Sequence, residues 1–239
     1  MNGGSIFDLT YMIRSVPEIL QGLPNTLAIT LVSLILGLLI GFLCALTRIY
    51  KVPVLRRIVG LYISFTRGTP LLVQIFLSYY GIPLVLRALN EAWGTNLNVN
   101  GVPVLAFAFL AYSLNVGAYM TETVRAAILS VDQGQVEAAY AVGMTGFQAM
   151  RRIVLPQAAM VAVPNIGNSL IGLFKDTSLV FTISVTEIMA KARIIGGRSF
   201  RNAEVFLAAA LIYWVVSFLC ERLIAWSEKH LRRGDPRRT

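Results

Sequence analysis

Charged side chains are missing from five long stretches of this chain, a pattern that predicts five helices crossing a membrane. Residues 19–47 carry no charge, and the first crossing is expected at 27–47. Residues 68–86 form the core of a second, and 92–121 are again uncharged, with a third helix expected from about Pro103 through Glu122. A fourth starts in the run 153–174, and a fifth occupies 205–220, extended by Leu223 to Trp226. Each crossing needs about 20 residues. Five crossings put the two ends of the chain on opposite sides. The expected fold is all-α and polytopic, one transmembrane domain over 1–239.

Basic residues in short loops orient such a bundle. The first loop holds Arg48, Lys51, Arg56 and Arg57; the third, roughly 129–156, holds Arg151 and Arg152. The basic tail 229–239 holds Lys229, Arg232, Arg233, Arg237 and Arg238. The second loop, roughly 87–102, has only Arg87 beside Glu91 and a run of Asn and Gly. Loops one and three and the tail are therefore expected on the cytoplasmic side, with the N-terminus outside. Lys191, Arg193, Arg198 and Arg201 break this pattern in the fourth loop and read as an external docking surface.

The chain has 239 residues, 56% hydrophobic and 14% charged, against about 25% charged in soluble domains. Its net charge of +9 fits loops beside anionic lipid, and nothing resembles the aromatic and basic interleaving of a nucleic-acid groove. Cys44 and Cys220 lie in apolar runs and read as packing residues. His230 sits in the basic tail with no evident partner, so neither a metal site nor a cofactor is expected. Asp8, Arg14 and Glu18 precede a first apolar run too long for a cleavable leader, so none is expected.

Segment 55–86 would run about 48 Å as one helix, against a hydrocarbon core of about 30 Å. Arg67-Gly68-Thr69-Pro70 interrupts it. Thr69 is expected to cap a helix beginning at Pro70, with Gly68 permitting the bend; Arg67 reads as a snorkelling residue at a helix end or as part of a gate. In loop 130–157, Asp132 with Gln135 fits a cap, a short helix runs through Glu137, Ala138, Ala139 and Val142, and Gly143 suits a left-handed stop. Thr145 with Gln148 has capping-box spacing, so a second helix starts at once and leads to Pro156. Two short helices with a bend between them indicate an interfacial or docking element, and small Ala138 and Ala139 allow close approach of a partner.

These residues carry a resemblance. Glu137-Ala138-Ala139, three residues, Gly143, nine residues, then Ile153-x-Leu155-Pro156 resembles the EAA loop of ABC importer permeases at every position. Arg67 to Leu72 with Gln74, Asn115 to Arg125, and Lys175 to Leu179 are similar to the polar amino acid permeases of the histidine/glutamine type, cystine permeases among them. The likeness covers about residues 17–228. It implies a permease of the bacterial inner membrane with the type I importer fold, whose first loop helix couples to a pair of ATP-binding subunits. It implies a second permease copy or paralogue, an extracytoplasmic solute-binding protein and an amino-acid substrate. Glu137, Ala138, Ala139, Gly143, Ile153, Leu155 and Pro156 are the implied contact to the ATPase. The chain has no G-x-x-x-x-G-K-[ST] loop, so ATP is expected on the partner and no catalytic residue here.

A charge at mid-span costs about 2.5–3.5 kcal/mol, so each needs a reason. Asn115, Tyr119 and Glu122 share one face of the third span, with Arg125 one turn on. Asn165, Asn168, Ser169, Gly172 and Asp176 form a second stripe on the fourth. Two stripes indicate a shared interior, either a pathway or a polar seam between helices. Asn115, Tyr119, Glu122, Asp176 and Thr69 are the candidate pathway residues; the resemblance implies that carboxylates and amides there meet a zwitterion. An ion-driven transporter or channel using Glu122 or Asp176 is the alternative, and it would be favoured by inverted repeats, none of which is evident. A membrane enzyme is a third class, for which no convincing nucleophile or metal set exists.

Overall fold

A computed structural model describes residues 7–232, with side chains through 230. Residues 1–6, Arg233, Arg237, Arg238 and the side chain of Arg232 lie outside the described residues. The helices are α1 (Leu9–Leu20), α2 (Leu23–Ile49), α3 (Leu55–Gly68), α4 (Leu71–Phe76), α5 (Ile82–Trp93) and α6 (Val104–Leu129). They continue as α7 (Gln133–Ala141), α8 (Gly146–Ala149), α9 (Leu155–Asp176), α10 (Ile188–Ser199) and α11 (Asn202–Arg232). Among the described residues there is no strand.

Among the described residues five helical segments are long and apolar enough to cross a membrane: Leu23–Ile49, Leu71–Trp93, Val104–Leu129, Gly146–Ile183 and Asn202–His230. The count matches the sequence, but two crossings are composites. α4 joins α5 through a π-turn at Leu77–Gly81, and α8 joins α9 through another at Met150–Val154. Each π-turn directly precedes an apolar residue and a proline, Ile82-Pro83 and Leu155-Pro156. Proline has no N–H for the i−4 carbonyl, and its ring crowds that carbonyl. The wider turn relieves both.

α2 and α6 are the most extensive pair. They run parallel, Gly37 against Val116 and Gly41 against Met120 and Thr121, so closely that a Cβ on either glycine would overlap those atoms. Gly37 and Gly41 are four apart, the spacing that lets two membrane helices touch through backbone. α4 and α9 run antiparallel to α6: Ser78 Oγ donates to Phe107 O at 2.9 Å, and Tyr112 Oη to Asp176 O at 2.7 Å. α11 packs on α9, with Phe174 against Tyr213 and Gly167 under Ile224. Asp8 and His230 therefore lie at opposite ends of the bundle, and α7 shares the end of His230.

The break at residues 67–70 differs from expectation. Pro70 is the N-cap, the next helix starts at Leu71, and Thr69 closes α3 in an extended conformation (φ −118, ψ 144). A residue before proline is pushed out of the helical region, so the bend falls on Thr69 and Pro70 rather than on Gly68. The Thr69 hydroxyl turns back to Phe65 O at 2.9 Å instead of capping α4.

The four basic residues of the fourth loop are engaged within the chain. Arg201 meets Asp8 at 3.1 Å and Glu204 at 3.4 Å, and Arg198 meets Glu18 at 3.5 Å. Lys191 donates to Gln21 at 3.0 Å, and Arg193 lies 4.3 Å over the Phe181 ring. They fasten α10 to α1 and its neighbours. His230, expected without a partner, stacks on Trp226 at 5.7 Å.

Candidate functional site

Two arrangements hold the candidate residues. The first is the projecting helix α7. The Asp132 carboxylate accepts from Gly134 N at 2.7 Å and starts the helix. Gly143, at φ +80, ends it: its N–H reaches Tyr140 O at 2.9 Å, and Met144 N reaches Ala139 O at 3.0 Å. This is the paired closure that needs a left-handed residue. Thr145 and Gln148 form both halves of a capping box, at 2.8 and 3.3 Å, and start α8. Gln135, expected to complete the Asp132 cap, instead accepts from Gln157 Nε2 at 2.6 Å and ties α7 to α9.

The two alanines separate. Ala138 is exposed, whereas Ala139 is buried within this chain, where α7 packs on α8 and the π-turn. Ala139 is therefore unavailable as a seat for a partner; the outward surface is Glu137, Ala138, Tyr140, Val142 and Phe147. Ile153 and Leu155 are half-buried and Pro156 is exposed. Val154 between them is the buried one, packed with Ala127, Ile128, Val131, Ala158 and Ala162.

The second arrangement is a pair of adjoining cavities between α6, α9 and the break. One, of about 360 Å³, is lined by Thr69, Asn115, Tyr119, Ser169, Gly172 and Asp176 among others. Its neighbour, of about 380 Å³, is lined by Arg67, Tyr119, Glu122, Thr123, Asn165, Asn168 and Ser169 with Met120. Tyr119, Met120 and Ser169 belong to both. The two polar stripes thus face one interior, and all five candidate pathway residues line it. Tyr119, Asn165, Asn168 and Asp176 are exposed, so the interior is an open groove in the single chain.

Three polar networks hold this groove. Asn115 Nδ2 donates to Gln74 Oε1 at 3.0 Å, and Gln74 Nε2 donates to Thr66 O at 2.8 Å and to both oxygens of Thr69 at 3.0 Å. Gln74 thereby satisfies the loose carbonyls of the break and fixes it to α6. Glu122 is paired with Arg125 at 3.0 Å, as its spacing indicated, and also with Arg48 of α2. Arg67 lies 5.4 Å over the Tyr119 ring. The sequence reading missed the Arg48 pairing and the close α2–α6 contact; the Gly37-x-x-x-Gly41 spacing is the signal for the latter.

Glu187 was also missed. It lies between two spans and is fully buried. Oε1 accepts from Ala190 N at 2.7 Å, capping α10, and Oε2 accepts from Tyr213 Oη at 2.8 Å. Burial pushes its carboxyl above the usual range, and the hydrogen bonds from Met189, Ala190 and Tyr213 oppose that rise. Gly22 presses on the Glu187 and Ile188 backbone with no room for a Cβ. No signal in the sequence marks this residue apart from its position one before a helix. No cluster of metal-binding side chains occurs among the described residues.

The chain matches the model of one family, described as "Binding-protein-dependent transport system inner membrane component", over residues 37–233. It is 43% identical over 228 residues to "Probable amino-acid ABC transporter permease protein PatM" of Vibrio harveyi, covering 95% of this chain and 98% of that one. It is 38% identical over 231 residues to "L-cystine transport system permease protein TcyL" of Bacillus subtilis (strain 168), covering 97% and 94%. Among solved structures it is similar to one titled "Crystal structure of an amino acid ABC transporter with histidines", with TM-score 0.80, 31% identity and coverage of 95% and 100%. The fold also matches an inward-facing MetNI methionine ABC transporter, with TM-score 0.67 at 20% identity over 90% of this chain and 96% of that one. The chain therefore belongs to the family of binding-protein-dependent transport system inner membrane components, as a permease of the ABC importer type.

Proposed function

We propose that this permease imports a polar amino acid, with cystine and related amino acids as the substrate class, and that α7 is its coupling helix. Relatives named for amino acids and L-cystine support the substrate class. The observation that carries the coupling role is the mounting of α7: capped at Asp132, closed at Gly143, bound to α9 through Gln157 and packed through Ala139. A lever must be stiff and must present a surface, and Glu137, Ala138, Tyr140, Val142 and Phe147 present one. A pair of ATP-binding subunits seats α7 on the cytoplasmic side and supplies the nucleotide, so the permease itself has no ATPase site and no cofactor. A second permease copy or paralogue covers the open groove, and a solute-binding protein delivers substrate at the opposite end, where the N-terminus lies. The ammonium and carboxylate of a zwitterion pass Asp176, Thr69, Asn115, Tyr119 and Glu122.

An ion-driven mechanism using Glu122 is disfavoured, because two guanidinium groups already hold that carboxylate. Reconstitution tests the proposal. Permease co-expressed with its ATPase is placed in proteoliposomes with its solute-binding protein, and cystine uptake is measured with and without ATP. ATP-dependent uptake that is lost on Ala138→Trp together with ATPase co-purification is expected. Uptake driven by an ion gradient without ATP would refute it.

A further inference from the structure

We propose that the elbow between α2 and α3 is a binding site for the phosphate of an anionic phospholipid. A cavity of about 300 Å³ lies where the elbow meets α6, lined by Arg48, Lys51, Arg56, Gly60 and Arg125. Four cations thus converge on one concavity. Among the described residues the single carboxylate bonded to this group is Glu122, shared by Arg48 and Arg125. Lys51 and Arg56 have no carboxylate partner among the described residues. Clustered like charge repels itself and attracts an anion of matching size.

The backbone gives a second, independent observation. Lys51 and Val54 both have positive φ, 53 and 63, Val54 with ψ −57. For a β-branched residue this is a true outlier, and such strain gathers where a ligand is held. It turns the chain sharply enough to bring Lys51 and Arg56 to the same cavity as the end of α2. Gly60 gives a third. A Cβ there would meet nothing within 4 Å, so no packing demands glycine, yet glycine weakens a helix interior. It leaves the cavity wall bare.

The occupant is a lipid rather than a soluble anion because the outer side of the same elbow is apolar. Val54, Ile58 and Leu61 are 70, 55 and 72% exposed, while α3 sinks only Val59, Ile63 and Thr66 into the chain. A molecule with a phosphate and two acyl chains satisfies both surfaces. The elbow also lies level with the end of α2, where headgroups meet a spanning helix. The site does not depend on the transported substrate or on ATP.

Native mass spectrometry of the full-length permease tests this, with dioleoylphosphatidylglycerol, dioleoylphosphatidylcholine or inorganic phosphate added. Phosphatidylglycerol should be retained about tenfold better than phosphatidylcholine. Lys51→Gln with Arg56→Gln should lower its retention by about fivefold per residue. Gly60→Leu, which fills the cavity and leaves every charge, should lower it equally. Arg151→Gln with Arg152→Gln removes the same charge at exposed positions elsewhere and should change nothing. Equal retention of the two lipids, an equal loss in the Arg151 and Arg152 variant, or saturation by inorganic phosphate without lipid preference would each overturn the proposal. Should Gly60→Leu not elute as a single species, the exposed Lys51 and Arg56 pair decides alone.

Discussion

Glu122 is both a candidate pathway residue and the shared partner of Arg48 and Arg125, and substitution separates the two roles. Glu122→Gln keeps the shape and one acceptor but removes the charge. Each hydrogen bond between charged groups contributes about 1.5–3 kcal/mol when formed away from water. The three side chains are 27–35% exposed, so solvent screening puts the loss near the low end, about 2 kcal/mol in total. Two facing guanidiniums then remain. For a chain of this size, that loss lowers an apparent melting temperature by about 4–8 °C. Because two arginines hold the acid, Arg125→Gln restores only part of the stability and Arg48→Gln with Arg125→Gln restores most of it. Thermal unfolding in detergent measures this series, and uptake in proteoliposomes is read on the same samples. Glu122 acts in the pathway if the triple variant is stable yet transports poorly. Full stability and full uptake in the triple variant would refute the pathway role. An unchanged melting temperature in Glu122→Gln would refute the energetic reading of the triad.

Ala138→Trp and Ala139→Trp should differ in kind: the first blocks an exposed surface and lowers ATPase co-purification with the permease intact, while the second overpacks a buried position by about 1–3 kcal/mol and lowers the yield of folded permease. Gly143→Asp forces a side chain into the left-handed region at about 1 kcal/mol or more, so the permease should still insert while uptake and receptor-stimulated ATPase fall together. The Glu187 carboxyl is raised by burial, so the folded chain holds its proton more tightly than the unfolded chain. That stability is full below the unfolded pKa and is lost as pH rises through the folded one. Glu187→Gln should therefore flatten the pH dependence of melting in that window. Gly41→Leu places a side chain in the Met120 and Thr121 backbone and should abolish monodisperse expression, whereas Gly60→Ala, with open space around it, should not.

Features governed by neighbours within one turn were legible from residue order. Thr145 with Gln148, Asp132 and Gly143 act within four residues of themselves, and the structure has each in its expected part. The five crossings follow from uncharged length, because hydrocarbon excludes charge whatever the packing. Thr69 shows where local reading stops: its spacing to Pro70 permits a cap, but Pro70 is itself extended and becomes the N-cap, so the helix begins one residue later and Gln74 claims both Thr69 oxygens.

Tertiary packing decided which polar groups meet. Arg48 and Glu122 are 74 positions apart and touch because Gly37 and Gly41 let α2 lie directly on α6. Other tertiary contacts join the two stripes into one groove, bury Ala139 while leaving Ala138 exposed, and turn Lys191, Arg198 and Arg201 onto α1 and its ends. Periodicity names the face of a helix on which a residue lies, and this sequence carries that information for every span. The neighbour across that face depends on helix register and close contact, which arise only when the helices are packed together.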